Sequence, residues 1–250
     1  MNSLTNIYSN ILYHAKEGKY KDCNAINLHI YEAKKESNKF NEQKKRLLDN
    51  MINDVNGHAA SIIQTYCVPL LNSVAEAIEH SRFRYKLDIT AKTNSRLLIN
   101  TASGLGKSIF EVGINIHPLF SIPYIPSSSI KGSLRSYIHI NYPSKEDIFG
   151  NTEKIGELLV TDAFPISYEK RLLDGEVTTP IYGSGEIEKF KEHKVSPTPI
   201  IYPCIAKGVT FRFIMGFNSE SLKNEIFGYV KDMLQYGIGA KTLLGYGEMV

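Results

Sequence analysis

Cysteine and long apolar runs are scarce in this sequence. The three cysteines, Cys23, Cys67 and Cys204, lie far apart, with no Cys-x-x-Cys pair and no histidine at zinc-finger spacing. This spacing argues against a disulfide framework and against structural zinc. No apolar stretch approaches the roughly 18 residues of a membrane span, and the first ten residues lack the regions of a secretory signal peptide. We therefore expect a cytoplasmic protein with no metal or other cofactor.

The sequence also lacks a strong overall charge, since 250 residues carry a net charge of only +3. That charge is unevenly distributed. Residues 81–145 hold nine basic and two acidic side chains, whereas residues 146–206 hold six basic and eleven acidic ones. A basic segment of this kind is typical of a protein that binds a polyanion, although a solvated basic surface explains the charge alone equally well.

The hydrophobic pattern changes near residue 81. Between residues 40 and 80, apolar side chains recur at helical spacing, and Pro69 is expected to kink or divide the second helix. From Arg82 onward, apolar and polar residues alternate as in a half-buried strand. We therefore predict a helical N-terminal region over residues 1–80 and a mixed α+β domain over residues 81–250.

Three more segments of the second domain have clear patterns. ELLVTDAF (157–164) and VTFRFIMGF (209–217) are strand candidates because they are apolar and rich in β-branched and aromatic residues. The segment SLKNEIFGYVKDMLQYGI predicts a helix, with Ser219 or Ser221 near its N-terminal cap and Gly237 just past its end.

The order of these elements is strand, helix, strand, strand, helix, strand. This order predicts a ferredoxin-like βαββαβ unit, an α+β sheet with helices on one face. Residues 165–206, which are rich in proline, glycine and charge, would form a long inserted loop. Loops of that length are usually functional or disordered.

Two stretches resemble nucleotide-binding motifs without meeting their requirements. TASGLGKS (101–108) has Thr101 where a P-loop needs glycine, and an alternating, strand-like pattern follows it where a helix should begin. GIGAK (237–241) follows a helix, whereas a dinucleotide-binding fingerprint follows a strand and opens a helix. Neither an ATP site nor a dinucleotide site is expected.

Four glycines surround one lysine in the final stretch, QYGIGAKTLLGYGEMV. Bare backbone lets a ligand approach closely, and successive N–H groups can cradle phosphate oxygens. Lys241 would add a charge to such a cradle and Thr242 a hydroxyl. The alternative is a glycine-rich turn in which Gly237 only ends the helix. The sequence alone leaves both explanations open.

A second stretch, PYIPSSSIKGSLRSYIHI (123–140), predicts a helix with an anion site at its start. Its serines offer cap oxygens, and the free N–H groups of a helix N-terminus attract anions. Lys131, Arg135 and His139 form a basic stripe beside the apolar face. Gly132 costs roughly 1 kcal/mol of helix propensity, which indicates that a partner passes close to it.

These two stretches resemble the motifs of a known family. PYIPSSSIKGSLRSY is similar to the P-G-S-S-[LI]-K-G-x-[LI]-R motif of the RAMP superfamily of CRISPR-associated RNA-binding proteins. GIGAKTLLGYG resembles the C-terminal glycine-rich loop of the same superfamily. The resemblance covers about residues 82–250 and departs from the pattern at Ser127, where the superfamily usually has glycine.

The resemblance implies a ferredoxin-like, RRM-related fold in a non-catalytic subunit of a type III-B CRISPR (Cmr) ribonucleoprotein effector complex for antiviral defence. Its partners would be CRISPR RNA, held toward its 3′ part, and sibling RAMP subunits, with target RNA contacted indirectly. Tyr124 or Tyr246 could stack a base. The RNA-binding residues that we predict are Ser128, Ser129, Lys131, Gly132, Arg135, Gly237, Gly239, Lys241, Thr242 and Lys107.

A RAMP-type endoribonuclease that processes CRISPR RNA is the alternative, because the superfamily includes ribonucleases. Target-cleaving relatives use an aspartate in the loop region after the first strand, but Glu111 is the only acid between Asp88 and Glu146. Precursor processing could use His117 as a general acid or base. A lone histidine is, however, more often structural.

Overall fold

Four α-helices and six strands make up the described part of a computed structural model, residues 37–101, 110, 112–179 and 199–250. The helices are α1 (Ser37–Ile62), α2 (Val68–Glu79), α3 (Ser127–Asn141) and α4 (Glu220–Tyr236). The strands are β1 (Tyr85–Lys92), β2 (Leu158–Val160), β3 (Phe164–Tyr168), β4 (Leu173–Thr178), β5 (Ile200–Ile205) and β6 (Val209–Phe217). The predicted α+β class with a helical N-terminal region is confirmed.

Helices α1 and α2 form one helical run that is interrupted by a π-helical turn at Ile63–Cys67. Pro69 lies in the first turn of α2, where its missing N–H leaves one carbonyl of the preceding turn without a helical donor. The interruption therefore comes just before the proline. Asn56 fixes α1 to the second half of the chain, because its side-chain oxygen accepts hydrogen bonds from the backbone N–H groups of Leu172 (2.8 Å) and Leu173 (3.0 Å).

Strand β6 is the centre of the larger sheet, and its bounds agree with the prediction for residues 209–217. β1 pairs antiparallel along one side, with Tyr85 opposite Phe217 and Lys92 opposite Thr210. The short strands β2 and β3 pair antiparallel along the other side. β6 is consequently hydrogen-bonded on both edges.

The C-terminal residues extend this sheet beyond β1. Lys92 and Val250 exchange both backbone hydrogen bonds, at 2.6 and 2.9 Å, and Thr93 forms an antiparallel bridge with Met249. The order across the sheet is therefore the C-terminal segment, β1, β6, and then β2 with β3.

Helices cover both faces of the larger sheet. Four consecutive residues, Ile214–Phe217, are buried, and successive side chains of a strand point to opposite faces. Gly216 faces α2, since a Cβ added there would lie 3.1 Å from Cγ2 of Ile78. Helix α4 also contacts β1 and β6, and α3 packs between α4 and β2.

Residues 165–206 contain more regular structure than the predicted inserted loop. β4 and β5 pair antiparallel as a second sheet, with Leu173 opposite Ile205 and Thr178 opposite Ile200. Leu97 joins this sheet to the preceding chain, because it exchanges two backbone hydrogen bonds of 3.0 Å with Ile205. Residues 180–198 lie outside the described part.

A bidentate ion pair links β1, β6 and α2. Arg212 donates through Nε and Nη2 to the two carboxylate oxygens of Asp88, at 2.8 and 2.6 Å, and through Nη1 to the side-chain oxygen of Asn72 at 2.7 Å. The hydrogen bond from Arg212 holds the pKa of Asp88 below its ordinary value.

We expect this pair to make the stability depend on acid pH. Because the folded-state pKa of Asp88 is lowered, its contribution is present above the unfolded pKa of about 3.9 and is lost as the pH falls through the folded value. In urea unfolding between about pH 5 and pH 2, Asp88→Asn should remove the part of the pH-dependent loss of stability that comes from Asp88. Glu153→Gln, at an exposed site, is the control. If wild type and Asp88→Asn lost the same stability in acid, the Asp88–Arg212 pair would not be a cause of the pH dependence.

Candidate nucleic-acid interface

Most of the basic side chains in residues 81–145 are committed to partners within the chain. The ion pairs are Lys86–Glu79, Lys92–Glu169 (3.2 Å), Arg96–Glu176 (2.9 Å) and Lys145–Glu225 (2.7 Å). Arg82 lies 4.5 Å from the ring centroid of Phe83, and Arg84 lies 5.6 Å from that of Tyr85. Carboxylates therefore compensate four of the nine cations of this segment, and two more lie against aromatic rings.

In α3, Lys131 and Arg135 differ from these residues because neither pairs with a carboxylate of the described residues. No carboxylate of the described residues lies within the 4.0 Å of an ion pair from either side chain. The two residues are four positions apart and so lie on the same side of the helix, as predicted. Arg135 is exposed and Lys131 is half-buried. This side of α3 presents positive charge to a ligand.

Lys131 lines a groove of about 410 Å³ between the start of α3 and the edge of the sheet. Ser127 and Ser128 line this groove together with the apolar residues Leu158–Val160 of β2. The structure therefore brings together Ser128 and Lys131, two of the predicted RNA-binding residues.

The start of α3 differs from the prediction of an open anion site. Its N-terminal cap is Pro126, and the cap residue makes no side-chain hydrogen bond to the helix. The carboxylate of Asp162 instead accepts a hydrogen bond of 2.6 Å from the backbone N–H of Ser127, and the N–H of Ser129 donates to Pro126. The expectation that serines cap this helix is wrong, because a carboxylate already satisfies its N-terminal charge.

Gly132 lies on the outward side of α3. The buried residues Ile130, Leu134 and Ile138 face the sheet, so the glycine, between those positions, points to solvent and is exposed. A Cβ added at Gly132 would have no atom of another part of the chain within 4 Å. The packing of the chain itself does not require glycine here.

The glycines that follow α4 are required by the turn itself. Gly237 ends the helix with φ +96°, Gly239 has φ +91° and Gly247 has φ +78°, a region that favours glycine. A Cβ on Gly239 would overlap the carbonyl oxygen of Leu98, and one on Gly247 would overlap that of Ile238. The chain's own backbone therefore occupies the space that a side chain at Gly239 would fill, whereas contact of Gly239 with RNA stays a prediction.

The tip of the same loop leaves successive amides open. The backbone N–H groups of Ile238, Ala240 and Gly247 donate within the chain. Those of Lys241, Thr242 and Leu243 have no acceptor among the described residues. Lys241 has φ +61° and precedes a short 3₁₀ turn, a backbone shape that forms an anion-binding concavity.

The side chain of Lys241 is held below this tip. Its Nζ donates a hydrogen bond of 2.8 Å to the hydroxyl of Tyr202 and lies 4.8 Å from that ring's centroid. Tyr202 is fully buried in β5. Two more protons of the ammonium group remain for another acceptor.

A second groove, of about 600 Å³, joins α3 to the glycine-rich loop. Ser133 and Ser136 line it from α3, and Gly237, Gly239 and Thr242 line it from the loop. The structure therefore places three predicted loop residues beside α3, on the flank opposite Lys131 and Arg135. Lys107, the remaining predicted residue, lies outside the described part of the chain.

His117 has a structural environment. Its Nδ1 accepts hydrogen bonds from the backbone N–H groups of Leu119 (3.3 Å) and Phe120 (3.2 Å), and its ring stacks on Phe120 with centroids 4.3 Å apart. Partial burial lowers the pKa of His117. Its Nδ1 lone pair is directed at two backbone N–H groups, which is a structural role for this nitrogen.

The two tyrosines considered for base stacking are both half-buried. Tyr124 stacks on Phe164 with ring centroids 5.7 Å apart. Burial raises the pKa of the Tyr246 hydroxyl, and the Tyr246 ring lies 5.9 Å from Nζ of Lys241. Sequence patterns missed Tyr236, which lines the second groove and is 75% exposed. The sequence feature that indicates Tyr236 is its position directly before Gly237, at the start of the glycine-rich stretch.

The described residues contain neither a cluster of metal ligands nor a helix suited to a membrane. No group of three or more histidine, cysteine, aspartate or glutamate side chains is arranged to hold a metal ion there. None of the helices in the same ranges has both the length and the apolar character needed to cross a bilayer.

A family model described as the RAMP superfamily matches residues 90–250. The chain belongs to the RAMP superfamily. The match includes both α3 and the glycine-rich loop, the two elements whose motifs indicated this family. Within this RAMP protein, the two grooves therefore lie on the two flanks of one family-defining helix.

Two relatives of similar sequence come from Saccharolobus solfataricus and Pyrococcus furiosus. The CRISPR system CMR subunit Cmr6 of Saccharolobus solfataricus is 37% identical over 162 residues, which are 64% of this chain and 56% of the relative. The Cmr6 subunit of Pyrococcus furiosus is 28% identical over 231 residues, with 64% of this chain and 66% of the relative covered. The RAMP chain thus spans less than two thirds of each relative's length.

One solved structure supports the same relation at the level of the fold. A chain in a cryo-EM structure of the type III-B Cmr-beta bound to cognate target RNA superposes with a TM-score of 0.65 at 33% identity. The superposition covers 74% of this RAMP chain and 64% of the other chain.

Proposed function

We propose that this chain is a non-catalytic, RNA-binding subunit of a type III-B CRISPR (Cmr) effector complex in the cytoplasm. It holds the phosphate backbone of CRISPR RNA toward its 3′ part and packs against sibling RAMP subunits in antiviral defence. The similarity to two Cmr6 subunits supports the choice of complex. The position along the RNA follows from the family resemblance alone.

The observation that carries the binding proposal is that no carboxylate of the described residues pairs with Lys131 or Arg135. Four other cations of the basic segment form ion pairs within the chain, whereas these two lie together on one side of α3. Between that side and the loop groove lies Gly132, which is exposed and has open space around it. A single strand that crosses α3 over Gly132 would contact both cations and the open amides at Lys241–Leu243.

The fold that we infer for the core is ferredoxin-like. Its supporting feature is the order of the sheet, in which β6 lies between β1 and the β2–β3 edge while the C-terminal segment adds to the outer side of β1. The sequence order strand, helix, strands, strand, helix, C-terminal segment matches a βαββαβ unit. The pair β4–β5 is then an insertion between its second and third strands.

Salt dependence tests the binding proposal. Each phosphate contact of a single strand lowers log affinity by about 0.7 per log unit of salt, so two side chains predict a slope of at least about 1.4 in magnitude. We expect this slope with RNAs of unrelated sequence, measured by fluorescence anisotropy on the purified chain and on the assembled complex. An affinity for RNA that does not change with salt would contradict phosphate binding at these residues.

The absence of catalysis is tested with the same RNAs. We expect labelled CRISPR repeat RNA to remain intact after incubation with the chain, both with and without a metal chelator, because His117 is bound to backbone amides. Cleavage that persists in chelator and disappears in His117→Ala would support the ribonuclease alternative instead.

A further inference from the structure

An exposed aromatic ring lies in the groove between α3 and the glycine-rich loop. Tyr236, the last residue of α4, is 75% exposed, although most aromatic side chains around it are packed. Its ring centroid lies 5.8 Å from that of Tyr137, at an interplanar angle of 41°. Tyr137 is itself fixed by a hydrogen bond of 3.0 Å from its hydroxyl to Asp232. One side of the Tyr236 ring is thus supported and the rest is open.

We infer that Tyr236 stacks a base of single-stranded RNA in this groove. The inference rests on the proposed function and adds a base subsite to it. Aromatic rings bind the bases of single strands through stacking, which tolerates any sequence because every base has a π-face. Because the Tyr236 ring already lies against Tyr137, it loses little conformational freedom when a base stacks on it.

The position of the ring relative to the loop supports a nucleotide as the occupant. Tyr236 directly precedes Gly237, and both residues line the groove together with Thr242. The open amides of the loop begin five residues after Tyr236, at Lys241, on the other side of the same turn. Since a base and its phosphate belong to one nucleotide, a phosphate at the loop tip brings a base to this groove.

The chemistry of the groove also fits a base. Its volume of about 600 Å³ exceeds what one base requires, and Ser133 and Ser136 contribute hydroxyls that both donate and accept. No acidic side chain of the described residues lines it. Ile140, which is 74% exposed, provides a second apolar surface that faces the same space. The groove is neutral and partly apolar, and it lies on the flank of α3 opposite Lys131 and Arg135.

The test compares Tyr236→Ala with wild type in RNA binding over a salt series. We expect affinity for single-stranded RNA to fall roughly ten-fold with an unchanged salt slope, because stacking involves no counterion release. Tyr236→Phe should bind like wild type. Phe227→Ala is the control, since Phe227 is an exposed aromatic residue of the same helix and lies outside the groove.

Abasic RNA provides a second readout that a loss of folding would not produce. Wild type should prefer an RNA with bases over one of equal length that lacks them, and Tyr236→Ala should reduce this preference. Unchanged affinity in Tyr236→Ala, or a loss accompanied by a smaller salt slope, would overturn the subsite. So would normal RNA binding combined with failure to join the sibling subunits, which would make the groove a protein-docking surface.

The outcomes separate the subsite from the proposed function. A wild-type chain whose RNA affinity is absent, or independent of salt, in the assembled complex contradicts RNA binding itself. Salt-dependent binding by wild type that persists unchanged in Tyr236→Ala contradicts only the base subsite.

Discussion

Gly239→Val is expected to lower the free energy of unfolding by at least about 2 kcal/mol. A valine at φ +91° is strained, and its Cβ would overlap the carbonyl oxygen of Leu98. That carbonyl already accepts a hydrogen bond of 2.8 Å from Ala240, so it cannot move without breaking the turn. Chemical denaturation of the purified chain measures the loss.

Gly245→Val is the matched control for this prediction. Gly245 has φ +81°, but a Cβ there has nothing within 4 Å. Its substitution should cost only the backbone strain of about 1–2 kcal/mol. If Gly239→Val instead kept full stability and lost RNA binding, the glycine would be there for the ligand, as the sequence alone allowed.

The double substitution Lys131→Ala and Arg135→Ala should weaken binding of single-stranded RNA by roughly 30-fold, or about 2 kcal/mol. Each side chain lacks an ion-pair partner among the described residues, so its removal leaves no buried acid uncompensated and should leave stability nearly unchanged. The salt slope should fall in magnitude by about 1.4, because two phosphate contacts are lost.

A charge-matched control distinguishes contact from general electrostatic attraction. Lys92→Ala with Lys145→Ala removes the same net charge, but both lysines are already paired, with Glu169 and Glu225. We expect this control to change affinity several-fold less than the α3 variant. Equal losses in the two double variants would show that only net charge matters.

Local patterns predicted the regular elements well. β6 was found over residues 209–217 because a continuous apolar run suits a strand whose two faces are buried. α4 was recognised from helical spacing, and its ends follow ordinary capping: Ser219 accepts a hydrogen bond from the N–H of Leu222, and Gly237 has a positive φ. The same spacing correctly placed Lys131 and Arg135 on one side of α3, whereas their contact with RNA stays a prediction.

The roles of individual site residues depended on distant contacts that no local pattern contains. Asp162 occupies the start of α3 from 35 positions away, and Leu98 fills the space beside Gly239 from more than a hundred. The exposure of Tyr236 likewise depends on how the chain packs. The sequence contains 15 tyrosines, and no local pattern distinguishes the exposed ones from the buried ones. The sequence therefore predicts an interface at α3 and the loop, whereas the structure shows which atoms of these two elements are open.

Photocrosslinking in the assembled complex tests the central claim most directly. CRISPR RNA carrying 4-thiouridine along its 3′ part is irradiated in the complex, and the crosslinked peptides of this chain are identified by mass spectrometry. The account predicts crosslinks in α3, within 127–141, and in the loop that follows α4, within 236–247. Crosslinks confined to other parts of the chain, with neither segment labelled, would contradict it.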